Sequence, residues 1–452
     1  MPPLQTAIGE RKRRGAYPTP HWLVDTIVEQ AVPVECAGRD VTVLDPACGD
    51  GRFLVAAANR ISALGGRPVL VGSDIDPDAV AAARDATLDA DATIECRDAL
   101  AASWDGDSFD VVVGNPPYLS QLAVTTSRGG ASRHGGGQYA DAAVEFLALA
   151  VRLARPDGGR IGLVLPQSIL ASRDAGPVRA EVDRTAAITW SWWSPRMIFD
   201  AQVLVCALVL ERRPDHEQVR LRQWSDIVTD RLGVPRLPAL ATSGVLGDRV
   251  RLTANFRDQY YGLVPAVVED GGGPPLVTSG LVDPGRCRWG ERPVTFAKRR
   301  FHRPTVELRR LTPPMRRWAD GMLVPKVVVA NQTRVIEAVA DPDGSWIPSV
   351  PLVTARPISP VDVRAVAAVL TSPVASAWAW RWAGGTGMSA AAVRLGPRWL
   401  AGLPWPSGDL DGAVEALERG DVEACGGAVT AAYGAEPAGL REWWRRWLPG
   451  PA

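Results

Sequence analysis

The sequence contains few cysteines and histidines, the residues that form zinc sites and disulfides. Its six cysteines are scattered, and no two of them form a C-x-x-C pair, which argues against a zinc site and a disulfide framework. Only four histidines occur, and none has the spacing of a metal-ligand pair. We therefore expect a functional site without a metal ion.

Long apolar runs are absent as well. No segment approaches the ~20 apolar residues that a membrane-spanning helix needs. Residues 1–15 are basic but have no apolar stretch beside them, unlike a secretory signal. We expect a cytoplasmic protein without membrane contact. Its 452 residues are too many for one compact core, so two or three domains are predicted.

Lysine is rare, with only three residues, and the charge is unevenly distributed along the chain. Residues 1–210 hold 19 basic and 25 acidic side chains, whereas residues 211–452 hold 31 and 25. Residues 286–334 alone hold 13 basic and 3 acidic side chains. Such a stretch is typical of a surface that binds a polyanion. A solvated, arginine-rich surface would have the same composition, so both interpretations stay open.

Strand-like and helix-like segments alternate in the first half of the chain. The strand-like segments are 41–44, 68–72, 93–96, 109–113, 160–165 and 203–210, and the helix-like segments are 52–63, 78–90 and 140–155. This alternation predicts an α/β fold with a mostly parallel sheet and right-handed crossovers. Residues 119–138 are rich in Gly, Ser and Thr and are predicted to form a mobile loop.

The second half follows a different pattern. Beyond about residue 230, Pro and Gly interrupt short strand-like segments, and the α/β alternation ends. No internal repeat is evident. The predicted domains are an α/β domain over 1–235, a mixed, strand-rich domain over 236–407 and a helical element over 408–452.

Polar turns follow the first three predicted strands, whose carboxyl ends meet at one edge of a parallel sheet. The turn DPACGDG, residues 45–51, lets backbone approach a ligand closely, although its spacing is not the G-x-G-x-x-G of dinucleotide sites. Asp74, after the second strand, is placed to accept both hydroxyls of a ribose. The alternative for this turn is a helix N-cap, the role that Asp76 suits. Asp98, after the third strand, is placed to accept from an adenine amino group.

The motif Asn115-Pro-Pro-Tyr118, after the fourth strand, is the most specific signal in the chain. The prolines fix the backbone, so that the Asn side chain and a neighbouring carbonyl become rigid acceptors. Two acceptors on the N–H bonds of a planar amino group favour a pyramidal, more nucleophilic nitrogen. The aromatic ring beyond them can stack on a base, which is worth ~1–3 kcal/mol. For the tetrapeptide alone, a proline turn after a strand is the structural alternative.

These turns, in this order, resemble those of the gamma class of adenine-N6 DNA methyltransferases. The resemblance covers residues 11–213. It implies a Rossmann-like class I methyltransferase domain followed by a target-recognition domain, with S-adenosylmethionine as cofactor and double-stranded DNA as substrate. The implied reaction is methyl transfer to N6 of an adenine flipped out of the duplex, in restriction-modification or phage defence.

The resemblance also assigns roles to individual residues. The catalytic residues that it implies are Asn115, Pro116, Pro117 and Tyr118. The cofactor-binding residues that it implies are Tyr17, Thr19, Asp45, Ala47, Gly49, Gly51, Asp74, Ile75, Asp98 and Phe146. Phe199 matches an aromatic residue that packs on the flipped adenine, although a role in the core is equally compatible with its position. Pro18 stands where the family usually has a second aromatic residue.

The basic stretch 286–334 is predicted to contact DNA phosphates, because no helix-turn-helix or zinc finger is evident. Its candidate residues are Lys298, Arg299, Arg300, Arg303, Arg309, Arg310, Arg316 and Arg317. The segments Asn331–Arg334 and Met388–Pro406 loosely resemble parts of target-recognition domains. A fused nuclease domain is not expected, which leaves a separate restriction endonuclease or a defence-system subunit open as a partner.

Other functions are compatible with parts of this pattern. Glutamine methyltransferases that act on release factors share the Asn-Pro-Pro-Tyr motif but resemble the chain only in its core. RNA adenine methylation is a further alternative. A non-catalytic DNA-recognition subunit is disfavoured by the intact motif, since an inactive protein has no need of that geometry.

Overall fold

The computed structural model describes residues 17–104, 108–118, 134–137, 140–199, 203–213, 223–254, 257–358, 362–434 and 437–449. Gly15, Ala16 and most of the loop predicted over 119–138 lie outside these residues. The chain divides into two compact units, Met1–Ile227 and Val228–Ala452. Within the described residues, every helix is too short or too polar to cross a membrane.

The first unit is built on one seven-stranded sheet with helices between its strands. Its strands are β1 Asp40–Asp45, β2 Arg67–Asp74, β3 Asp91–Cys96, β4 Val111–Gly114, β5 Arg160–Pro166, β6 Ala186–Trp193 and β7 Val205–Arg212. Its helices are α1 His21–Ala31, α2 Arg52–Ala63, α3 Pro77–Ala86, α4 Ala142–Leu153 and α5 Gly176–Thr185, and α6 Asp226–Thr229 lies at the division between the units.

The strand order in this sheet is β3-β2-β1-β4-β5-β7-β6. The first five strands of that order pair in parallel, and β7 lies antiparallel between β5 and β6. This mostly parallel sheet with one reversed strand is the Rossmann-like class I methyltransferase arrangement, so the predicted fold class is confirmed. The order reverses at β1 and β4, and ligands of open α/β sheets bind beyond the carboxyl ends of strands at such a point.

Apolar helix faces hold the sheet and its helices together. Leu23 and Ile27 of α1 pack in one buried cluster with Phe53 and Leu54 of α2 and with Val111 of β4. These five side chains are at most 2% exposed. Because burying a large apolar side chain contributes ~1.5–3 kcal/mol, this packing holds α1 and α2 against the sheet.

Three elements of the first unit lie outside the segments predicted from the sequence. They are α1, α5 and β6. The strand β6 is half exposed along most of its length, so it lacks the continuous apolar pattern that marked the other strands. Helix α3 ends at Ala86, earlier than the predicted residue 90, because Thr87 already leaves helical geometry.

The second unit contains shorter elements. Its strands are β8 Thr242–Val245, β9 Val250–Ala254, β10 Val267–Glu269, β11 Leu276–Val277, β12 Val282–Asp283, β13 Arg286–Cys287, β14 Val294–Phe296, β15 Arg299–Phe301, β16 Pro304–Val306, β17 Lys326–Ala330, β18 Gln332–Thr333, β19 Ala338–Asp341, β20 Ile347–Pro348, β21 Leu352–Pro357, β22 Val393–Arg394 and β23 Pro404–Pro406. Its helices are α7 Arg257–Leu263, α8 Pro313–Met322, α9 Val363–Leu370, α10 Pro373–Ala383, α11 Pro397–Ala401, α12 Asp411–Glu418, α13 Val422–Ala432 and α14 Leu440–Arg445.

A four-stranded antiparallel sheet, β19-β17-β21-β9, forms the centre of the second unit. The other described strands of this unit pair two by two. The predicted mixed, strand-rich character is therefore confirmed, while helices α8 to α10 lie among the strands. The segment predicted as a helical element over 408–452 holds α12, α13 and α14.

Candidate active site

Four polar turns meet at the carboxyl edge of the first unit's sheet. They follow β1, β2, β3 and β4, which are parallel neighbours. The sequence predicted this grouping from the order of strands and turns. The structure adds hydrogen bonds that link the turn after β2 to the turns after β1 and β3.

The glycine-rich turn after β1 is joined to the acidic turn after β2. The Asp74 carboxylate accepts from the backbone N–H of Gly49 at 2.9 Å and from that of Asp76 at 2.9 Å. Gly49 has φ 53°, and a side chain built there would meet nothing within 4 Å. The left-handed backbone explains the glycine. The open space beside it gives a ligand access to the Asp74 carboxylate.

Gly51 marks the start of α2 and has φ 81°. A Cβ at this position would lie 3.1 Å from the Cα of Ala83 in α3. Glycine is therefore required here for the close approach of two helices, in addition to its backbone conformation. The turn DPACGDG is fixed from both sides, which pre-forms a binding loop.

Asp45, at the end of β1, is buried and only 1% exposed. Its carboxyl accepts from the Ala47 N–H at 3.0 Å. Burial raises the pKa of Asp45 to about 8, and the carboxylates of Asp74 and Asp50 add to the rise. Asp45 is therefore largely protonated at neutral pH in the folded protein. Burial also raises the pKa of the Cys48 thiol in the same turn, so this thiol stays protonated.

The side chain of Asn115 connects the Asn-Pro-Pro-Tyr turn to the segment before α1. Its Nδ2 donates to the backbone oxygen of Tyr17 at 3.1 Å and to Oγ1 of Thr19 at 3.0 Å. Its Oδ1 accepts from the hydroxyl of Tyr118. Both N–H bonds of the amide are therefore bound to protein atoms, and Oδ1 is bound to the Tyr118 hydroxyl.

Three aromatic rings pack against one another beside the Asn-Pro-Pro-Tyr turn. Phe199 stacks on Tyr17 with ring centroids 6.1 Å apart and lies tilted against Tyr118 at 6.2 Å. Burial raises the pKa of Tyr118 well above its ordinary value, so its hydroxyl stays protonated and remains a donor. The structure thus brings together three residues that the sequence had predicted separately. We call Tyr17, Tyr118 and Phe199 the aromatic trio.

The remaining predicted cofactor residues differ in their surroundings. Ile75 is 59% exposed after β2. Asp98 is exposed after β3, and its carboxylate accepts from the Leu100 N–H at 3.0 Å. Phe146 is buried in α4, and in the described part of the chain no ring contact links it to the aromatic trio. Ile75 and Asp98 are therefore accessible to a ligand, whereas Phe146 packs inside the unit.

Arg52 is a site residue that the sequence analysis missed. Its guanidinium donates to the backbone oxygen of Thr19 and to the Asp50 carboxylate. It therefore ties the Tyr17–Pro20 segment to the start of α2 and fixes the segment that holds Asn115. The sequence offers no signal for this role, because the two partners of Arg52 are brought together only by the fold.

The basic stretch of the second unit is largely occupied by ion pairs. Arg303 pairs with Asp270 at 3.0 Å, and Arg316 with Asp320 at 2.8 Å. Both Arg309 and Arg310 pair with Glu307. Because Asp270 lies outside 286–334, the local charge is lower than the sequence count suggests.

A β-hairpin of this stretch carries charges that lack such pairing. Strands β14 and β15 are joined by Ala297 and Lys298, with φ 49° and 64°, which is the geometry of a tight type I′ turn. Lys298, Arg299 and Arg300 are exposed, and no ion pair of theirs occurs among the described residues. The Arg299 guanidinium lies 5.0 Å from the ring centroid of Phe301. The exposed cations of this hairpin are available to an anionic partner.

The turns at the sheet edge fit S-adenosylmethionine. Each oxygen of the Asp74 carboxylate keeps a second lone pair for a ribose hydroxyl, because each accepts only one backbone N–H. The space beside Gly49 leaves room for the nucleoside to approach. No group of three or more metal-ligating side chains occurs in the described part of the chain.

Comparison with known proteins agrees with this geometry. Residues 5–225 match the family described as N-6 DNA Methylase. Over 118 residues the chain is 31% identical to the type II methyltransferase M.VspI of Vibrio sp. (strain 343), covering 25% of this chain and 27% of that protein. Over 183 residues it is 21% identical to the modification methylase CviBIII of Paramecium bursaria Chlorella virus NC1A, covering 40% and 46%. The matched segments thus span less than half of each curated relative.

Solved structures with a related fold include two subunits of type I restriction-modification systems. The methyltransferase subunit from Streptococcus thermophilus matches 46% of this chain and 48% of its own, with 21% identity and a TM-score of 0.39. The EcoKI M protein matches 43% and 44%, with 21% identity and a TM-score of 0.36. N6 methyltransferases use S-adenosylmethionine as their cofactor. Residues 5–225, just under half of the chain, are thus similar to the N-6 DNA methylase family.

Proposed function

We propose that this chain transfers a methyl group from S-adenosylmethionine to the exocyclic N6 of an adenine in double-stranded DNA. The observation that carries the proposal is the Asn115 amide, held by two hydrogen bonds at the sheet edge beside the aromatic trio. This arrangement offers an oriented acceptor for an amino group and flat rings for a base. Both features suit the methylation of a planar amino group, which is a poor nucleophile.

The Asn115 amide would hold the substrate amine. Its Nδ2 is bound to Tyr17 and Thr19, which orients Oδ1 as an acceptor. An adenine amino group would replace the Tyr118 hydroxyl on Oδ1, while the carbonyl of Pro116 would accept the second N–H. Two acceptors shift electron density toward the nitrogen and aim its lone pair. The expected contribution is positioning and oriented electrostatics, with no covalent intermediate on the protein.

The aromatic trio would receive the base. A target adenine must leave the duplex to reach Asn115, since its N6 is paired inside the helix. Tyr118 and Phe199 are half-buried rings 6.2 Å apart that would separate to admit the flipped base, and stacking on such rings contributes ~1–3 kcal/mol per base. When bound, the cofactor supplies an electrophilic methyl group on a sulfonium. The N6 nitrogen would form the new C–N bond as the C–S bond to the methyl group breaks, which leaves a neutral thioether on the spent cofactor, and the methylated amine would then lose one proton to solvent.

The second unit would supply DNA contacts. Among the predicted contact residues, Lys298, Arg299, Arg300 and Arg317 are the best placed for phosphates, because they are exposed and lack ion pairs among the described residues. Arg303, Arg309, Arg310 and Arg316 would have to exchange an acidic partner for a phosphate. A role in restriction-modification or phage defence, together with a separate endonuclease or defence subunit, is part of the same proposal.

The test is methyl transfer from labelled S-adenosylmethionine to duplex DNA, total RNA and a release factor in parallel reactions. We expect label in DNA alone, with N6-methyladenine as the product after digestion and mass spectrometry. The roles of the cofactor residues Tyr17, Asp45, Asp74, Ile75 and Asp98 are then tested by calorimetry of single variants. Label in RNA or in the protein instead of DNA would contradict the proposal.

A further inference from the structure

Two short segments that are distant in sequence form one β-ribbon in the second unit. Strands β18 and β22 pair antiparallel, with Gln332 opposite Arg394 and Thr333 opposite Val393. The Leu395 N–H extends the pairing by donating to the backbone oxygen of Asn331 at 2.8 Å. These strands belong to the two segments that resembled parts of target-recognition domains. The fold therefore joins two sequence features into one structural element.

The register gives the ribbon a buried face and an accessible face. Residues directly opposite one another in an antiparallel pair share a face, with Cβ atoms about 4.5–5.5 Å apart. Thr333 and Val393 are buried, so their face packs inside the unit. Gln332 is half-buried and Arg394 is exposed, so their face looks outward. The ribbon thus presents an amide and a guanidinium side by side.

The backbone that carries Arg394 is fixed by its surroundings. Its N–H donates to Oγ1 of Thr386 at 3.2 Å, and that hydroxyl donates to the Ala383 backbone oxygen at the end of α10 at 2.6 Å. Gly387 lies in the same turn, and a Cβ there would sit 2.0 Å from the Ala392 backbone oxygen. The turn therefore closes tightly over β22. The backbone at Arg394 is therefore already ordered before a ligand binds the guanidinium.

Charge around the ribbon favours an anionic partner. The sequence contains no acidic residue between Asp362 and Asp409. In the part of the chain that the structure describes, no ion pair involves Arg394. Arg364, by contrast, pairs with Glu418 at 2.7 Å. An exposed arginine without a carboxylate partner keeps its full fork of donors for a ligand.

We propose that Gln332 and Arg394 read base edges in the major groove of the DNA target. The inference rests on the proposed function, since it assumes that duplex DNA is the substrate. A two-stranded β-ribbon fits the major groove, where each base pair shows a distinct pattern of donors and acceptors. A guanidinium matches O6 and N7 of guanine, and a carboxamide matches N6 and N7 of adenine. The pair would therefore specify an adjacent guanine and adenine in the recognition site.

The experiment measures equilibrium binding and methyl transfer for a library of duplexes that differ at single positions. The variants are Arg394→Ala, Arg394→Lys and Gln332→Glu, with Arg364→Ala as the control on a partly exposed, ion-paired arginine of the same unit. We expect Arg394→Ala to weaken binding of the preferred duplex roughly 5- to 150-fold and to relax the preference at one position. Arg394→Lys should do the same, because lysine keeps the charge and loses the fork. Arg364→Ala should leave the sequence profile unchanged.

Gln332→Glu provides a gain-of-preference test. A carboxylate accepts from N4 of cytosine and has no donor for N7 of adenine. We expect the preferred base at one position to change from adenine to cytosine, while the salt dependence of binding stays nearly constant. Circular dichroism of each variant checks that the fold is kept.

Two results would overturn the inference. One is a recognition profile that stays unchanged in Arg394→Ala and Gln332→Glu. The other is full rescue by Arg394→Lys together with a log–log salt slope lowered by ~0.9 in Arg394→Ala, which identifies a phosphate contact. Failure of the proposed activity looks different: the wild-type protein would bind one DNA sequence without methylating it, and base reading would still be measured by binding.

Discussion

The two units bring their candidate functional residues together in different ways. In the first unit, one parallel sheet places the turns after four neighbouring strands at the same edge, and hydrogen bonds such as Gly49 to Asp74 join them. In the second unit, short strands from distant segments pair two by two, and register alone places Gln332 beside Arg394. Sequence motifs therefore indicate the chemistry of the first unit. In the second unit, strand pairing determines which side chains share a surface.

The sharpest test of this contrast is a change that stops chemistry without changing DNA recognition. Asn115→Ala removes the oriented acceptor, and loss of one such group typically costs ~10²–10³ in kcat. We expect at least that loss in single-turnover methyl transfer, with cofactor affinity and the recognition profile of the second unit retained. Thr19→Val serves as the partial control. It removes one of two hydrogen bonds to Asn115 Nδ2, so a smaller loss is expected. Substantial activity in Asn115→Ala would rule out its assigned role.

Variants of Asp74 and Asp76 distinguish ligand binding from helix capping within the first unit. Asp74→Ala removes the carboxylate proposed to bind the ribose, and we expect cofactor affinity to fall by roughly 1.5–3 kcal/mol. The matched control is Asp76→Ala, because Asp76 caps α3 by accepting from the Asp78 N–H at 3.1 Å. Its loss should lower the free energy of unfolding by about 1 kcal/mol and leave cofactor affinity unchanged. Calorimetry that finds the two variants equal would favour capping as the role of both.

A buried carboxyl in each unit links stability to pH. Burial raises the pKa of Asp45 to about 8 and the pKa of Glu337 to about 7. Between about pH 4 and these values, the unfolded chain loses a proton that the folded chain keeps. The free energy of unfolding therefore falls as pH rises, by at most about 1.4 kcal/mol per pH unit for each group.

Urea unfolding between pH 5 and pH 8 measures this effect. Asp45→Asn keeps the acceptor for the Ala47 N–H and removes the titration, so its stability should fall less steeply with pH than that of the wild type. Glu337→Gln should also make the free energy of unfolding less dependent on pH. Its effect should end near pH 7, about one pH unit below the end of the Asp45 effect. Parallel profiles for wild type and Asp45→Asn would show that Asp45 does not hold its proton in the folded state.

The smallest expected effect concerns phosphate contacts in the second unit. The double variant Arg299→Ala/Arg300→Ala removes two exposed cations of the hairpin, and each lost phosphate contact should lower the log–log salt slope by ~0.9. Arg309→Ala/Arg310→Ala is the matched comparison, since both of its arginines already pair with Glu307. The hairpin variant should therefore change the slope more. Equal slopes for both variants and the wild type would place the phosphate contacts elsewhere.

How well the sequence predicts each unit depends on how far apart in sequence its contacting residues lie. Asn115 and Asp74 were predicted because each directly follows an apolar strand, and strand order then places them at one edge. Phe199 was predicted by resemblance, and the structure places its ring against Tyr17 and Tyr118. Arg52 was not predicted, because its contact with Thr19 depends on how α2 meets a segment far away in sequence.

In the second unit, the sequence predicts less of the structure. The count of basic residues in 286–334 is correct, but Arg303 pairs with Asp270 outside that stretch, and Lys326 is buried against Asp341. Two-residue strands such as β18 and β22 carry too little pattern to show their partner. Neither ion pairs nor short pairings between distant segments can be read from composition.

The hydrogen bond from Tyr118 to Asn115 has a consequence for how the proposed reaction ends. Unmethylated adenine brings two N–H bonds, one for Asn115 Oδ1 and one for the Pro116 carbonyl. The methylated product has a single N–H bond, so it satisfies only one of the two acceptors. The Tyr118 hydroxyl, kept protonated by burial, can then return to Oδ1. In the proposed reaction the protein would thus replace a weakened contact to the product with an internal hydrogen bond, which would favour product release after one methyl group is transferred.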